Sequence, residues 1–130
     1  MHPIQKRVER ADWWRDHLRQ RCRRGAGRGG QKRAILIAQV IIAVCEFYGI
    51  EPDQLKARTR ERETVLARQI GFYLARKMTG RSLPEIGRQF GGFDHSTIVH
   101  AIRRVEEMLA SNPEVRTDVD MITGALLDGW

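Results

Sequence analysis

The chain has 130 residues and a mass of 15.0 kDa, the size of one ordinary domain and too little for a nucleotide-driven motor plus the module it would act through. Its 42% hydrophobic, 30% charged and 7% aromatic residues suit a soluble α-rich protein and exclude wholesale disorder or a collagen-like repeat. The 23 Lys and Arg against 16 Asp and Glu leave +7 and a pI near 10.2, and the dominance of Arg favours a phosphate polymer as partner over a merely solvated surface.

Residues 1–33 hold 11 basic and 3 acidic groups, net +8. Ile4, Val8, Ala11, Leu18 and Cys22 recur with a roughly helical period and Arg occupies the other faces, which predicts a basic amphipathic helix over 2–23. Trp13 and Trp14 suit a role in covering the core better than one in stacking on bases. The stretch Arg23 to Arg33, RRGAGRGGQKR, has no periodicity and reads as a Gly and Arg linker. It contains Gly25-x-Gly27-x-x-Gly30, a formal match to a dinucleotide fingerprint, but the preceding RQRCRR is no strand. Gln31 also stands where a phosphate-binding loop needs Lys, so nucleotide binding and ATP hydrolysis are set aside. The expected organisation is a basic arm and linker over 1–33 and a single helical domain over 34–127.

The run Ala34 to Cys45, AILIAQVIIAVC, imitates a leader or a membrane span. It is too short, since a span needs ~20 apolar residues, and it predicts a buried helix from Ala34 to Tyr48 that stops at Gly49. Neither a membrane nor export is therefore expected. Cys22 and Cys45 have no close partner and no His at zinc spacing, which suits a reducing cytosol without disulfide or metal. Ile35, Leu36, Ile37, Val40, Ile41, Ile42, Val44 and Phe47 cover more than the ~100° stripe a surface helix needs. An additional cover is expected, a homodimer partner ahead of the N-terminal arm.

Pro52 opens a short helical turn to Ala57. In KARTRERE after it, Lys56, Arg58, Arg60 and Arg62 alternate along one edge of a loop. On composition a solvated charge run and a functional cluster weigh equally. A third helix is predicted from Thr64, with Leu66, Ile70, Tyr73, Leu74 and Met78 inward and Thr79-Gly80 as its stop. Ser82-x-x-Glu85 is a capping box with Pro84 in the first turn, so Leu83 to Phe90 forms a short helix ended by Gly91-Gly92. Asp94 then N-caps a helix from His95 to Leu109, whose inner stripe is Ile98, Ile102, Val105 and Leu109. Two helices joined by Gly91-Gly92-Phe93 make a helix-turn-helix. The second carries Asp94, His95, Ser96 and Thr97 on its first turn, short polar groups at the end that enters a major groove. Pro113 permits a last helix to about Leu127, with Val115, Val119, Ile122 and Leu126 facing the core.

The charge of residues 34–110 is 11 basic against 9 acidic, net +2, and that of 111–130 is 1 against 4, net −3. Binding by the central domain must therefore depend on where its charges sit. The four His are scattered, and His95 and His100, five apart, point about 140° apart on a helix. No convergent constellation for catalysis exists, so neither an enzyme nor a cofactor is expected.

RSLPEIGRQFGGFDHSTIVHAIRRVEE resembles the signature of the C-terminal DNA-binding domain of the chromosomal replication initiator DnaA family, usually SLPEIG, a short link, FGGRDHTTV and a basic pair. QLKARTRERETVLARQIGFYLARKMTG resembles that family's basic loop and following helix, so the likeness covers about residues 34–127. It implies an all-α helix-turn-helix bundle that reads DnaA boxes in double-stranded DNA, without the family's ATPase domain. By the resemblance, Asp94, His95 and Ser96 correspond to major-groove base readers and Arg60 to the minor-groove arginine. Arg68, Gln69, Arg76, Thr97 and Arg104 correspond to phosphate contacts, and Leu83 with Pro84 would set the first helix's amides against the backbone. Three departures stand out: Ser96 for Thr, losing a methyl that packs on thymine; Phe93 for Arg in the turn; and Leu66-Ala67 for Arg-Pro.

The expected function is that of a stand-alone DnaA-box-like binder in the cytoplasm, associated with the nucleoid, modulating replication initiation or transcription without ATPase activity. The alternatives are a protein-interaction adaptor or phage-type repressor working through the arm and the apolar 34–48 helix, and an RNA binder using the Arg and Gly linker, which lacks stacking aromatics.

Overall fold

The computed structural model describes residues 35–129. The predicted arm helix, with Trp13, Trp14 and the linker, lies outside them. Among the described residues there are six helices and no strand: α1 Ile37–Tyr48, α2 Pro52–Lys56, α3 Arg62–Thr79, α4 Leu83–Gln89, α5 His95–Ser111 and α6 Pro113–Gly129. The fold is all-α, as expected.

Local chemistry accounts for the helix ends. α1 begins at Ile37, later than the apolar run suggests, because Gln39 Oε1 accepts from the Leu36 N–H at 2.7 Å and makes Leu36 the N-cap. It stops at Gly49, as predicted. α3 begins at Arg62, two residues before Thr64; Glu63 in its first turn faces the positive end of the helix dipole. Ser82 caps α4 by accepting from the Glu85 N–H at 3.4 Å. α5 runs past Leu109 to Ser111, where Pro113 holds Asn112 extended. Asn112 Oδ1 then accepts from the Glu114 and Val115 amides at 3.0 and 3.4 Å and starts α6.

α3 is the central element, packed by α1, α2, α4 and α5, while α6 closes over α1 and α5. Its buried set is accordingly wider than the predicted stripe. Ile70, Tyr73 and Leu74 are buried, Leu66 and Met78 are half-buried, and Thr64, Ala67, Gly71, Phe72 and Ala75 are buried besides. Phe72 meets Phe90 with ring centroids 4.6 Å apart. The predicted inner residues of α6, Val115, Val119, Ile122 and Leu126, are all in the core.

The same packing answers the surplus of apolar surface on α1. Ile37, Val40, Ile41, Val44 and Phe47 are buried, Ile35 and Ile42 are half-buried, and Leu36 is the one exposed member of that set, at 53%. α1 packs against α3 and α6, so the chain's own helices cover most of the apolar surface for which a homodimer partner was expected. Tyr48 Oη donates to the buried Asp118 Oδ2 at 2.8 Å and ties the end of α1 to α6. Cys45 is buried and free, and burial, followed by the charge of Glu51, pushes its thiol up to about 11. Among the described residues no helix is long and apolar enough to cross a membrane, and no group of His, Cys, Asp or Glu has the arrangement to hold a metal.

Candidate nucleic-acid interface

The turn between α4 and α5 sets the orientation of everything that follows it. Gly91 and Gly92 take φ of 103° and 90°, values that L side chains rarely adopt. The amides of Gly92 and Phe93 both donate to the Gly87 carbonyl, at 2.8 and 3.0 Å. Gly87 itself permits this closure, since a Cβ there would lie 2.3 Å from the Phe93 carbonyl oxygen. α4 and α5 thus meet through backbone, and their shared core is Ile86, Phe90 and Ile98.

The first turn of α5 is left outward. Asp94, His95, Ser96 and Thr97 are all exposed, at the positive end of a 17-residue helix. Asp94 has the extended backbone of an N-cap, but its carboxylate is used otherwise than predicted. Oδ2 accepts from the Ser96 hydroxyl at 3.0 Å and makes no cap bond to the backbone. The Asp94–Ser96 pair is a ready acceptor and hydroxyl set for base edges.

Beside this turn, α3 and α5 enclose an open groove of about 500 Å³ lined by Arg68, Gln69, Thr97 and Arg104, together with Val65, Phe72, His100 and Ala101. Four of the residues assigned to the phosphate backbone by resemblance therefore line one depression although they come from two helices. Arg104 is exposed and pairs with Glu107 at 3.5 Å, a surface contact worth about 0–1 kcal/mol that a phosphate can displace. His100, not singled out as a site residue from the sequence, lines the groove as well; its place on α5 three residues after Thr97 was the available signal.

Arg68, expected to contact phosphate, also has a structural part. It is only 8% exposed. Its Nε donates to the Leu55 carbonyl at 2.8 Å and its Nη2 to the Ala57 carbonyl, so the guanidinium holds the end of α2 and the start of the basic loop. Burial, and then the neighbouring charge of Arg58, lower its pKa from the ordinary value.

Arg76 lies apart from the groove, exposed, with its Nη1 donating to the Arg81 carbonyl at 2.7 Å. At α4, Leu83 is half-buried and Pro84 exposed. Pro84 has no N–H to offer, Glu85 N–H is taken by the Ser82 side chain and Ile86 N–H by the Ser82 carbonyl. Leu83 N–H is the first-turn amide left over by the cap.

Arg60 is exposed in the loop between α2 and α3. The residue two before it was overlooked as a site residue. Arg58 Nη2 donates to the Gly92 carbonyl at 2.7 Å, and its guanidinium lies 3.9 Å from the centroid of the Phe93 ring. The basic loop is thereby joined to the turn of the helix-turn-helix. The alternating cations and the aromatic at position 93 were both visible in the sequence, but not their meeting.

The comparisons with known proteins fall on these same elements. A family model described as bacterial DnaA protein helix-turn-helix matches residues 37–105. The chain is similar to the chromosomal replication initiator protein DnaA of Streptococcus agalactiae, 44% identical over 88 residues, 68% of this chain and 19% of that protein. It is similar to the protein of the same name from Streptococcus thermophilus, 43% identical over 94 residues, covering 72% and 21% respectively. The likeness to that from Streptococcus equi subsp. zooepidemicus is 39% over 94 residues, with the same coverage of 72% and 21%. The chain thus matches about a fifth of the length of these curated relatives.

Proposed function

The chain belongs to the bacterial DnaA helix-turn-helix family, and on that premise we propose that it is a sequence-selective binder of double-stranded DNA at DnaA-box-like sites. The observation that carries this reading is the exposed first turn of α5 beside a groove lined by cationic and polar side chains. Asp94 accepts from a cytosine amino group, His95 faces a base edge or a thymine methyl, and Ser96 reads either kind of edge. Arg60, on the exposed loop, suits the narrow, strongly negative minor groove of A·T-rich DNA. Gln69, Thr97 and Arg104 in the groove and Arg76 outside it serve the phosphates, with the Leu83 amide and Pro84 against the backbone at the start of α4. Arg68 acts in this scheme chiefly as a brace for the basic loop, with its groove-facing edge available to a phosphate.

The role follows from what such binding does: occupation of these sites modulates replication initiation or transcription nearby, in the cytoplasm and at the nucleoid. The binding proposed for these residues needs no ATP hydrolysis, and they contain no G-x-x-x-x-G-K-[ST] sequence. The protein acts as a monomer in this reading, since α1 needs no second copy to cover it. An adaptor working through the apolar face of α1 is disfavoured for the same reason, as that face is spent on the core.

Mobility shift with a DnaA-box duplex, a scrambled duplex of equal composition and a single-stranded RNA tests the proposal. Preference for the box is the expected result. Equal affinity for the two duplexes would reduce the protein to a non-specific binder, and preference for the RNA would replace the reading altogether. Selection of sites from random duplexes then gives the sequence read.

A further inference from the structure

The α4–α5 turn and the basic loop are joined by an arrangement that neither element makes alone. Phe93 is half-buried, with its ring 5.4 Å from that of Phe72 in an edge-to-face pairing that fixes its plane against the core. Arg58 stacks at 3.9 Å from its centroid and Arg68 at 4.8 Å. Both guanidiniums also donate to backbone carbonyls: Arg58 to Gly92, Arg68 to Leu55 and Ala57. Two like charges on one ring repel each other, and that repulsion is offset by the negative face of the ring and by the carbonyl dipoles aimed at them. Arg68 holds the first residue of the loop 57–61 at the Ala57 carbonyl, and Arg58, inside that loop and two residues before Arg60, ties it to Gly92. Phe93 immediately precedes the exposed reading turn that begins at Asp94.

We propose that Phe93 is the positioning residue of the interface, clamping Arg58 and through it the Arg60 loop against the α4–α5 turn, so that the minor-groove loop and the major-groove helix meet DNA as one preassembled unit. A second part of the same proposal concerns charge. The clamped Arg58 guanidinium, fixed within hydrogen-bond distance of Gly92, supplies the positive charge beside the duplex that the aromatic at position 93 does not carry. Prior ordering removes the cost of immobilising a loop on binding, and the benefit appears as affinity for the correct site. The consequence for DNA rests on the DNA-binding reading above; the ordering of the loop does not.

The test uses the full chain and three variants, Phe93→Leu, Phe93→Trp and Arg58→Ala. Backbone 15N relaxation of Thr59, Arg60 and Glu61 in the free protein reads the clamp, and anisotropy titrations with box and scrambled duplexes read its effect. Leu at 93 keeps an apolar contact with Phe72 but removes the ring face, so the loop amides become mobile while those of α3 and α5 keep wild-type order. Box affinity falls about tenfold, the size expected for losing a partly desolvated cation–π contact. Trp at 93 restores both loop order and affinity, which a simple packing role at that position would not predict. Arg58→Ala touches no core residue and gives the same loop mobility, and the Arg58→Ala, Phe93→Leu double variant loses no more than the worse single one. Unchanged loop order in Arg58→Ala, or losses that multiply in the double variant, overturns the proposal. A wild-type chain that does not prefer the box would sink the DNA-binding reading, while the relaxation data still decide whether the clamp exists.

Discussion

At the scale of single residues, the proposed interface has two classes of group, those assigned to base edges and those assigned to phosphates, and the two differ in how their loss should register. Asp94 and His95 are exposed on the first turn of α5, so Asp94→Ala and His95→Ala should remove the proposed hydrogen bonds to base edges and leave the fold intact. Each is expected to cost about 1–3 kcal/mol against the preferred box while binding to scrambled duplex is unaltered, which competition titrations measure. Arg104→Ala and Arg76→Ala each remove one cation from the surface. They should weaken binding to every duplex alike and reduce the slope of log affinity against log salt by about one; a loss confined to the box would move these residues into the reading group. Arg68 differs from both classes in also serving the fold. With two carbonyls on its guanidinium and 8% exposure, it contributes first through the loop it braces, and its side chain cannot leave those carbonyls without stranding them in a half-buried site.

At the scale of elements, the helix-turn-helix depends on how closely α4 and α5 approach. Gly87 is the contact point, because a Cβ there would lie 2.3 Å from the Phe93 carbonyl oxygen and 3.2 Å from Ile98 Cδ1. The first of these neighbours is backbone and cannot rotate away. Gly87→Ala should therefore destabilise the domain by about 3 kcal/mol, the upper part of the usual range for overpacking, measured by chemical denaturation. It should also lower box affinity, since any relief separates α5's reading turn from the loop. An alanine variant with wild-type stability would mean that the turn has an alternative geometry. Phe90 shows the complementary case: it fills the space that Gly71 leaves on α3, where a Cβ would stand 2.8 Å from its ring, so α3 and α4 pack by a void on one helix and a ring on the other.

At the scale of the whole molecule, the hydrophobic core runs from Ile37 to Leu126 and closes on itself within the described residues. Deleting residues 1–33 takes away net +8 without removing any of that core. The truncated protein is expected to melt cooperatively and to keep its preference for the box. Its affinity at low salt should fall, because the arm adds long-range attraction to DNA but no reader. Loss of preference would show that the arm belongs to the reading surface. The same closure predicts a monomer in sedimentation at micromolar concentration: α1 buries most of its aliphatic residues against α3 and α6, and among the described residues the exposed Leu36 and Leu127 are too little apolar surface for a stable dimer. A dimer in that experiment would require an interface elsewhere on the chain.

The sequence by itself determined most of the helix ends and which turn stands exposed at the start of α5. Gly49, the Ser82 cap, the Gly91-Gly92 pair and Pro113 act on their immediate neighbours, so their effect is local and survives in a string of letters, whereas Asp94 stands at the predicted N-cap position without making the cap bond. The largest disagreements at helix ends, at Ala34 and Thr64, arose where the cap came from a side chain several residues along or the helix had no sharp start signal. Periodicity likewise identified one face of each helix, and it understated the burial of α3, because an element packed by four others keeps little solvent face to mark. The tertiary structure alone decided what the arginines do. Arg58, Arg60, Arg68 and Arg104 carry the same group, and a guanidinium becomes a brace, a clamp or a free cation according to which carbonyls, rings and solvent lie within about 4 Å of it. Those neighbours come from α2, from the α4–α5 turn and from water. Leu55 and Gly92 are 13 and 34 residues from the arginines they accept from, a separation across which composition and spacing carry no geometric information.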